Sequence, residues 1–191
     1  MSTARTWRRG TLAAAVAGAS VLAATAVAGA TTGSASTSAT TTAYAKCATA
    51  NLRVWRPGTN DHAAGSAYWE LELSNVSSTT CTLSGFPGVS AVDGNGHQLG
   101  SAAGRDHRFA PATVVLRPGT TAHALLRITD VGVFSTATCQ PVTATGLRVY
   151  PPGTTKAAFV PLRFRACSQQ GTVYLFVRTV RARAGIPGYG Q

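Results

Sequence analysis

Acidic side chains are scarce in this chain of 191 residues. Six Asp and Glu residues stand against 17 Lys and Arg residues, which gives a formal net charge of +11 at pH 7. A cationic surface attracts anions over long distances, so this composition favours acidic partners.

Residue patterns that carry metal or catalytic chemistry are also missing. Met1 is the only methionine, which excludes methionine-rich copper binding. The four cysteines contain no C-x-x-C pair of the kind that binds zinc or performs redox catalysis. No G-x-S-x-G motif offers a serine nucleophile. We therefore predict no metal, no cofactor, no catalytic residue and no enzyme activity.

The first thirty residues have the three-part organisation of a secretory signal peptide. A basic start with Arg5, Arg8 and Arg9 precedes an apolar run, and small residues follow at 28–30. This order predicts residues 1–30 as a signal peptide cleaved near Ala30, which would leave no integral membrane span. A retained transmembrane helix is the alternative, and the general secretory and twin-arginine routes both stay open.

Residues 31–43 consist of Thr, Ser, Ala and Gly and cannot bury enough apolar surface to become ordered. We predict a disordered linker there, followed by a single domain over residues 44–191, a common domain size. Removing the three arginines of the leader leaves 14 of the 17 basic residues against six acidic ones, a formal charge near +8.

The domain shows the period-two alternation of β-strands and no long amphipathic helix. Tyr68, Glu70, Glu72 and Ser74 alternate with Trp69, Leu71, Leu73 and Asn75, which predicts one wet and one buried face. Other strand candidates are 52–54, 90–93, 114–116, 122–128, 146–150, 158–162 and 172–179.

Turn-forming tripeptides separate these candidates, at 56–58, 86–88, 117–119 and 151–153, and Asp93-Gly94-Asn95-Gly96 predicts a hairpin. Short strands at regular spacing predict an all-β fold. We expect an antiparallel immunoglobulin-like β-sandwich of about 7–9 short strands, preceded by the signal peptide and the disordered linker.

Four cysteines in an exported chain predict two disulfides, for which three connectivities exist. If strand 52–54 runs antiparallel to strand 68–73, Cys47 approaches Cys81. If strand 147–150 pairs with 157–162, Cys139 approaches Cys167. We therefore favour the pairs Cys47–Cys81 and Cys139–Cys167.

Several motifs together resemble domain-of-unknown-function family 4232, which is found in secreted and lipid-anchored actinobacterial proteins. They are LELSN at 71–75, TCTLSGFPGVS at 80–90, DG at 93–94 with QLG at 98–100, VLRPG at 115–119, CQP at 139–141 and LRVYPPG at 147–153. The match covers nearly all of residues 47–180. The resemblance implies an extracytoplasmic sandwich domain and transfers no catalytic residue.

Two groups of residues are candidate binding sites. Arg178, Arg181 and Arg183 alternate with small or apolar residues, and on a strand we expect their guanidinium groups on one face, where they could bind an anionic ligand. A solvated edge strand protected by its charges is the alternative. Trp55 and Tyr68 could stack against sugar rings, the alternative being core packing.

We predict a secreted or extracytoplasmic protein, associated with the cell wall, that binds an acidic component of the envelope without catalysis. Its expected partners are an anionic cell-wall polymer or another secreted protein, and no nucleic acid is expected. A protein-binding module, such as a protease inhibitor presenting the loop Ser101–Pro111, is the alternative. An unrecognised hydrolase is the third hypothesis.

Overall fold

The structure is a computed structural model in which residues 43–184 are described. The predicted signal peptide at 1–30 and the predicted linker at 31–43, apart from Ala43, lie outside these residues. Within 43–184, no helix is long and apolar enough to cross a membrane.

Twelve strands form three sheets in the described part of the chain. The first sheet has the order β1-β3-β9-β12-β7, with β2 also paired to β3. Its strands are β1 Leu52–Trp55, β2 Asp61–Ala63, β3 Ser66–Asn75, β7 Gly104–Arg105, β9 Thr121–Thr129 and β12 Leu175–Val177.

The second sheet has the order β11-β10-β5-β6, and a small third sheet pairs β4 with β8. These strands are β4 Cys81–Ser84, β5 Gly88–Val92, β6 Gln98–Leu99, β8 Thr113–Leu116, β10 Pro141–Tyr150 and β11 Ala158–Cys167. Short helices lie at Thr49–Asn51 and Val131–Val133, both 3-10, and at Thr136–Cys139, which is α1.

One hydrophobic core lies between the sheets. Leu71 and Leu73 of the first sheet are fully buried, as are Leu147 and Val149 of the second. The period-two alternation places these side chains inward, because successive strand residues face opposite sides of a sheet. The all-β sandwich predicted from the sequence is confirmed.

The strand inventory differs from the expected 7–9 strands, since β2, β4, β6 and β7 were not among the sequence candidates. Three of these have only two or three residues, too few to establish a period. β12 covers Leu175–Val177 and is shorter than the candidate strand 172–179. β7 runs parallel to β12, whereas the other strand pairs within residues 43–184 are antiparallel.

The two disulfides join Cys47 to Cys81 and Cys139 to Cys167, the pairs favoured from the sequence. Strand pairing brings Cys139 close to Cys167. Pro141, two residues after Cys139, pairs with Cys167 where β10 meets β11. Cys47 is held beside β4 by a hydrogen bond from its backbone N–H to the Thr82 carbonyl, at 3.0 Å. The disulfides close loops of 34 and 28 residues, each of which stabilises the fold by roughly 3.5 to 4 kcal/mol in the chain-entropy account.

Asn75 joins the first sheet to the third at the end of β3. Its fully buried side-chain amide donates to the carbonyl oxygens of Thr79 (2.8 Å) and Leu116 (3.0 Å). Both amide protons are therefore used, which satisfies a polar group that would otherwise be costly to bury.

Candidate functional site

The arginines near the end of the chain do not form the predicted strand face. β12 ends at Val177, and the segment beyond it also bonds to Gly85, whose carbonyl oxygen accepts from the Val180 N–H (2.9 Å) and the Thr179 hydroxyl (3.0 Å). The expectation was also wrong on geometry, because residues three apart on a regular strand face opposite sides. Arg178 and Arg181 come near one another because the register against β9 slips by one residue between Val177 and Arg181, while Arg183 is exposed.

Arg178 is part of a cluster with Asp106, the residue after β7. Its Nε donates to Asp106 Oδ2 at 3.0 Å, and the Arg108 guanidinium donates to both oxygens of the same carboxylate, at 2.7 and 2.8 Å. The Arg108 hydrogen bonds, together with the one from Arg178, hold the pKa of Asp106 well below its usual range. The Arg178 guanidinium also lies 4.5 Å from the centre of the Phe109 ring.

Arg181 reaches a second cluster on the outer face of the first sheet. Its Nη2 lies 3.8 Å from Glu70 Oε1, and His123 Nδ1 lies 3.3 Å from the same oxygen. Glu72, two residues along β3, is 4.0 Å from His123. Strand pairing explains the assembly, because Glu72 is opposite His123 in the β3–β9 register and His123 forms a backbone bridge to Arg181.

Apart from Arg108 and Phe109, which are exposed, the side chains of these two clusters are largely buried. His123 is 12% exposed and Arg181 is 25% exposed. Burial lowers the pKa of Arg181, Glu70 partly offsets this effect, and the charge of Arg178 lowers the pKa further.

Most of the acidic side chains lie beside basic groups of the same domain and are therefore not free at the surface. Glu70, Glu72, Asp93 and Asp106 are partly buried and lie beside basic groups. By contrast, many basic residues are exposed: Lys46, Arg53, Arg105, Arg108, Arg117, Lys156, Arg163, Arg165 and Arg183. The surface of residues 43–184 is therefore more cationic than the composition alone indicates.

Trp55 and Tyr68 do not form an exposed aromatic platform. Tyr68 is only 8% exposed, because Asp106, Arg127 and Phe176 lie with it around the same small cavity over the outer face of β3. Trp55 is half-buried, its Nε1 donates to Ser74 at 3.1 Å, and the Arg53 guanidinium is 5.2 Å from its ring centre. The expectation of sugar stacking at Tyr68 was wrong because side chains of the neighbouring strands and of the segment after β7 cover that face.

A larger open cleft of about 670 Å³ lies near Trp69, and we call it the Trp69 cleft. Its polar and aromatic lining consists of Asn60, His62, Ser66, Trp69, Thr129, Asp130, Phe164, Arg163 and Arg165. The β2–β3 hairpin forms part of the wall through its turn Ala64-Gly65, where both residues have a positive φ. Two strands far apart in the sequence, β3 and β11, thus contribute to one cleft.

Arginines dominate the charge of this cleft. Arg163 and Arg165 project outward from β11 and are exposed, and the Arg56 guanidinium lies 4.5 Å from the centre of the Trp69 ring. Within residues 43–184, the Arg163 side chain has no hydrogen bond or ion pair, and Arg165 donates only to the Pro141 carbonyl at 3.4 Å. Asp130 is the one carboxylate in the described lining, and it accepts from the Gly132 N–H at 2.9 Å.

Sequence reasoning did not single out the Trp69 cleft as a site. The spacing of Arg163 and Arg165, two residues apart on a strand, was the available signal, because it places both cations on one face. Nothing in the sequence connects them to Trp69, which is nearly a hundred residues earlier.

The loop Ser101–Pro111 is attached to the fold at its start and in its middle. The Ser101 N–H donates to the Thr172 carbonyl at 3.2 Å, and the Asp106 N–H donates to the Val177 carbonyl at 2.9 Å. Residues 107–111 are exposed. Neither disulfide closes this loop directly.

No metal-binding group of three or more His, Cys, Asp or Glu side chains occurs among residues 43–184. Comparison with curated proteins and with solved structures found no match. The family model described as Domain of unknown function (DUF4232) matches residues 47–181, which is most of the chain and includes both disulfides. This chain therefore belongs to the DUF4232 family of domains of unknown function.

Proposed function

We propose that this domain is an exported, non-enzymatic binding protein of the cell envelope, and that it holds an acidic polymer of the envelope in the Trp69 cleft. The observation that carries the proposal is the pair Arg163 and Arg165, which are exposed on the cleft wall without a carboxylate partner in residues 43–184. Two disulfides are typical of proteins outside the cytoplasm and support an exported location.

The form of the cleft suits a polymer. It is open to solvent, so an extended chain can reach its lining residues. Guanidinium groups bind phosphate and carboxylate through paired hydrogen bonds, and the partly buried Trp69 ring provides apolar contact for a sugar or a polyol backbone. Charge and an aromatic surface are therefore adjacent, as recognition of an acidic glycopolymer requires.

The test is co-sedimentation of residues 31–191 with isolated bacterial cell walls, before and after acid extraction of their anionic polymers. We expect binding at low ionic strength, loss of binding to extracted walls, and weakening as salt is raised toward roughly 0.5 M, because salt screens exposed charges. The variant R163Q/R165Q should bind at least about fivefold less, since it removes both cations from the cleft wall.

The matched control is R117Q/K156Q, which removes two exposed positive charges outside the cleft lining. It should retain most of the wall binding. An equal loss in both double variants would show that total charge, and not the cleft, determines binding. Undiminished binding to extracted walls would exclude an acidic polymer as the ligand.

A second candidate function is protein binding through the loop Ser101–Pro111. The observation in its favour is Phe109, a large apolar side chain that is 41% exposed in a loop attached at Ser101 and Asp106. Incubation with culture proteases tests the inhibitor form of this function. A fall in protease activity that disappears in Phe109→Ala would support it, and unchanged protease activity would exclude it.

A further inference from the structure

An open cleft of about 590 Å³ lies on the outer face of the first sheet, and we call it the Arg127 cleft. Its described lining is mostly basic and contains one carboxylate and one aromatic ring. The residues are Arg105, Asp106, His107, Arg108, Arg127 and Phe176. None of them lines the Trp69 cleft.

Strand pairing places Arg127 in a row of residues that crosses β9, β12 and β7. Arg127 pairs with Phe176, and Phe176 pairs with Gly104. A Cβ atom at Gly104 would lie only 3.0 Å from the Phe176 ring, so the missing side chain leaves room for that ring. The Arg127 guanidinium lies 4.2 Å from the ring centre. Stacking on an aromatic ring orients a guanidinium without using its N–H donors.

The donors of Arg127 are open to solvent and have no acceptor in the described part of the chain. The side chain is partly buried, and it forms no hydrogen bond or ion pair within residues 43–184. None of its nitrogen atoms is enclosed, in contrast to Nη1 of Arg178 and Nε of Arg181. A ligand in the cleft can therefore reach the Arg127 donors.

Arg105 is a second cation of the same kind. It is exposed, its guanidinium lies 5.9 Å from the centre of the Phe86 ring, and it has no hydrogen bond or ion pair within residues 43–184. Asp106 does not neutralise Arg105 or Arg127, because its oxygens already accept from Arg108 and Arg178. The Arg127 cleft therefore presents two uncompensated positive charges to solvent.

We propose that the Arg127 cleft binds a phosphate monoester dianion. Two uncompensated cations match the double charge of this group, whereas a carboxylate or a phosphodiester has a single negative charge. Arg105 and Arg127 donate to its terminal oxygens, and the exposed His107 imidazole lies in the same lining. The site does not depend on the function proposed for the Trp69 cleft.

The test is a titration of isotope-labelled residues 31–191 in phosphate-free buffer at about pH 7, where a phosphate monoester is mostly a dianion. NMR follows the arginine Nε–H signals. Glycerol phosphate should bind saturably and shift the Arg127 signal, and glycerol should not bind. Dimethyl phosphate is a monoanion and should bind at least about fivefold more weakly. Equal affinity for glycerol phosphate and dimethyl phosphate would overturn the proposal.

Inorganic phosphate distinguishes two sources of the same chemical group. Binding at least as tight as that of glycerol phosphate would assign the site to free phosphate. Tighter binding of glycerol phosphate would assign it to a phosphorylated molecule. Either result supports a dianion site, and failure of both ligands to bind would exclude one.

Two variants and a matched control locate the site. Arg127→Gln and Arg105→Gln should each weaken glycerol phosphate binding at least about fivefold. The control is Arg53→Gln, which removes a guanidinium 5.2 Å from the centre of the Trp55 ring, outside the cleft lining. Its affinity should be unchanged, and an equal loss in all three variants would show that total charge determines binding and overturn the proposal.

Thermal unfolding of each variant separates loss of binding from loss of folding. If Arg127→Gln fails to fold, Arg105→Gln decides the question, because Arg105 is exposed and has no partner within residues 43–184. Unchanged affinity in Arg105→Gln would contradict the proposal. R163Q/R165Q should bind glycerol phosphate normally, and a loss of binding in that variant alone would place the phosphate in the Trp69 cleft and exclude this site.

Discussion

Two regions of this domain contain arginines and differ in what surrounds them. On the outer face of the first sheet, Arg178 and Arg181 are largely buried and lie beside Asp106 and Glu70. In the Trp69 cleft, Arg163 and Arg165 are exposed and have no carboxylate partner in the described part of the chain.

The comparison shows that burial and partners decide what a cation does. A guanidinium that is held by a partly buried carboxylate contributes to folding, and its removal leaves an uncompensated charge. An exposed guanidinium contributes little to stability and is available to an external anion. Replacing an arginine should therefore lower the stability of the fold in the first region and weaken ligand binding in the second.

The largest expected effect is from Arg178→Gln. This variant leaves the Asp106 carboxylate, 13% exposed, with Arg108 alone, and removes the guanidinium stacked on Phe109. The free energy of unfolding should fall by about 3 kcal/mol. Urea unfolding monitored by tryptophan fluorescence measures this change.

The control for this prediction is Arg163→Gln, which makes the same chemical change in the cleft. Its free energy of unfolding should remain within about 0.5 kcal/mol of the parent. Similar losses in Arg178→Gln and Arg163→Gln would contradict the distinction between the two regions.

The next largest expected effect is a loss of stability in acid, caused by protonation of the Asp106 carboxylate. Its pKa is lowered in the folded protein from the ordinary value of 3.8, so its contribution to stability is fully present above that value. The contribution is lost as the pH falls through the lower, folded pKa. We expect the free energy of unfolding to decrease by about 2 kcal/mol from this carboxylate between pH 5 and strong acid.

Asp106→Asn tests the assignment, because an amide does not titrate in this range. The variant should be less stable than the parent at neutral pH, and the difference between them should shrink in acid. Urea midpoints measured at intervals from pH 6 to about pH 2 give the comparison. A difference that stays constant over this range would mean that Asp106 is not the titrating group.

Much of the sandwich could be predicted from the sequence because alternation in long strands reports directly on burial. Leu71 and Leu73 alternate with Glu70 and Glu72, and the structure buries the first pair and leaves the second on the outer face. Strand pairing then placed each cysteine near its partner. Strands of two or three residues, such as β6 and β7, are too short to carry a period.

The candidate sites were harder to predict because they depend on tertiary cover. Tyr68 has the alternation of an exposed residue, yet the segment that begins at Asp106 lies over it. Arg178 and Arg181 share a face only because the register against β9 slips by one residue between the Val177–Leu126 pair and the Arg181–His123 bridge. Trp69 and Arg163 meet in one cleft although their strands are distant in sequence.

The smallest stability effect, and the sharpest test of the comparison, is expected from R163Q/R165Q. Because both guanidinium groups are exposed, the free energy of unfolding should change by less than about 0.5 kcal/mol, as for other exposed charges. The same double variant is expected to lose wall binding, so stability and binding should separate in a single protein. A large loss of stability would mean that these arginines support the fold, and the cleft would then resemble the outer face of the first sheet after all.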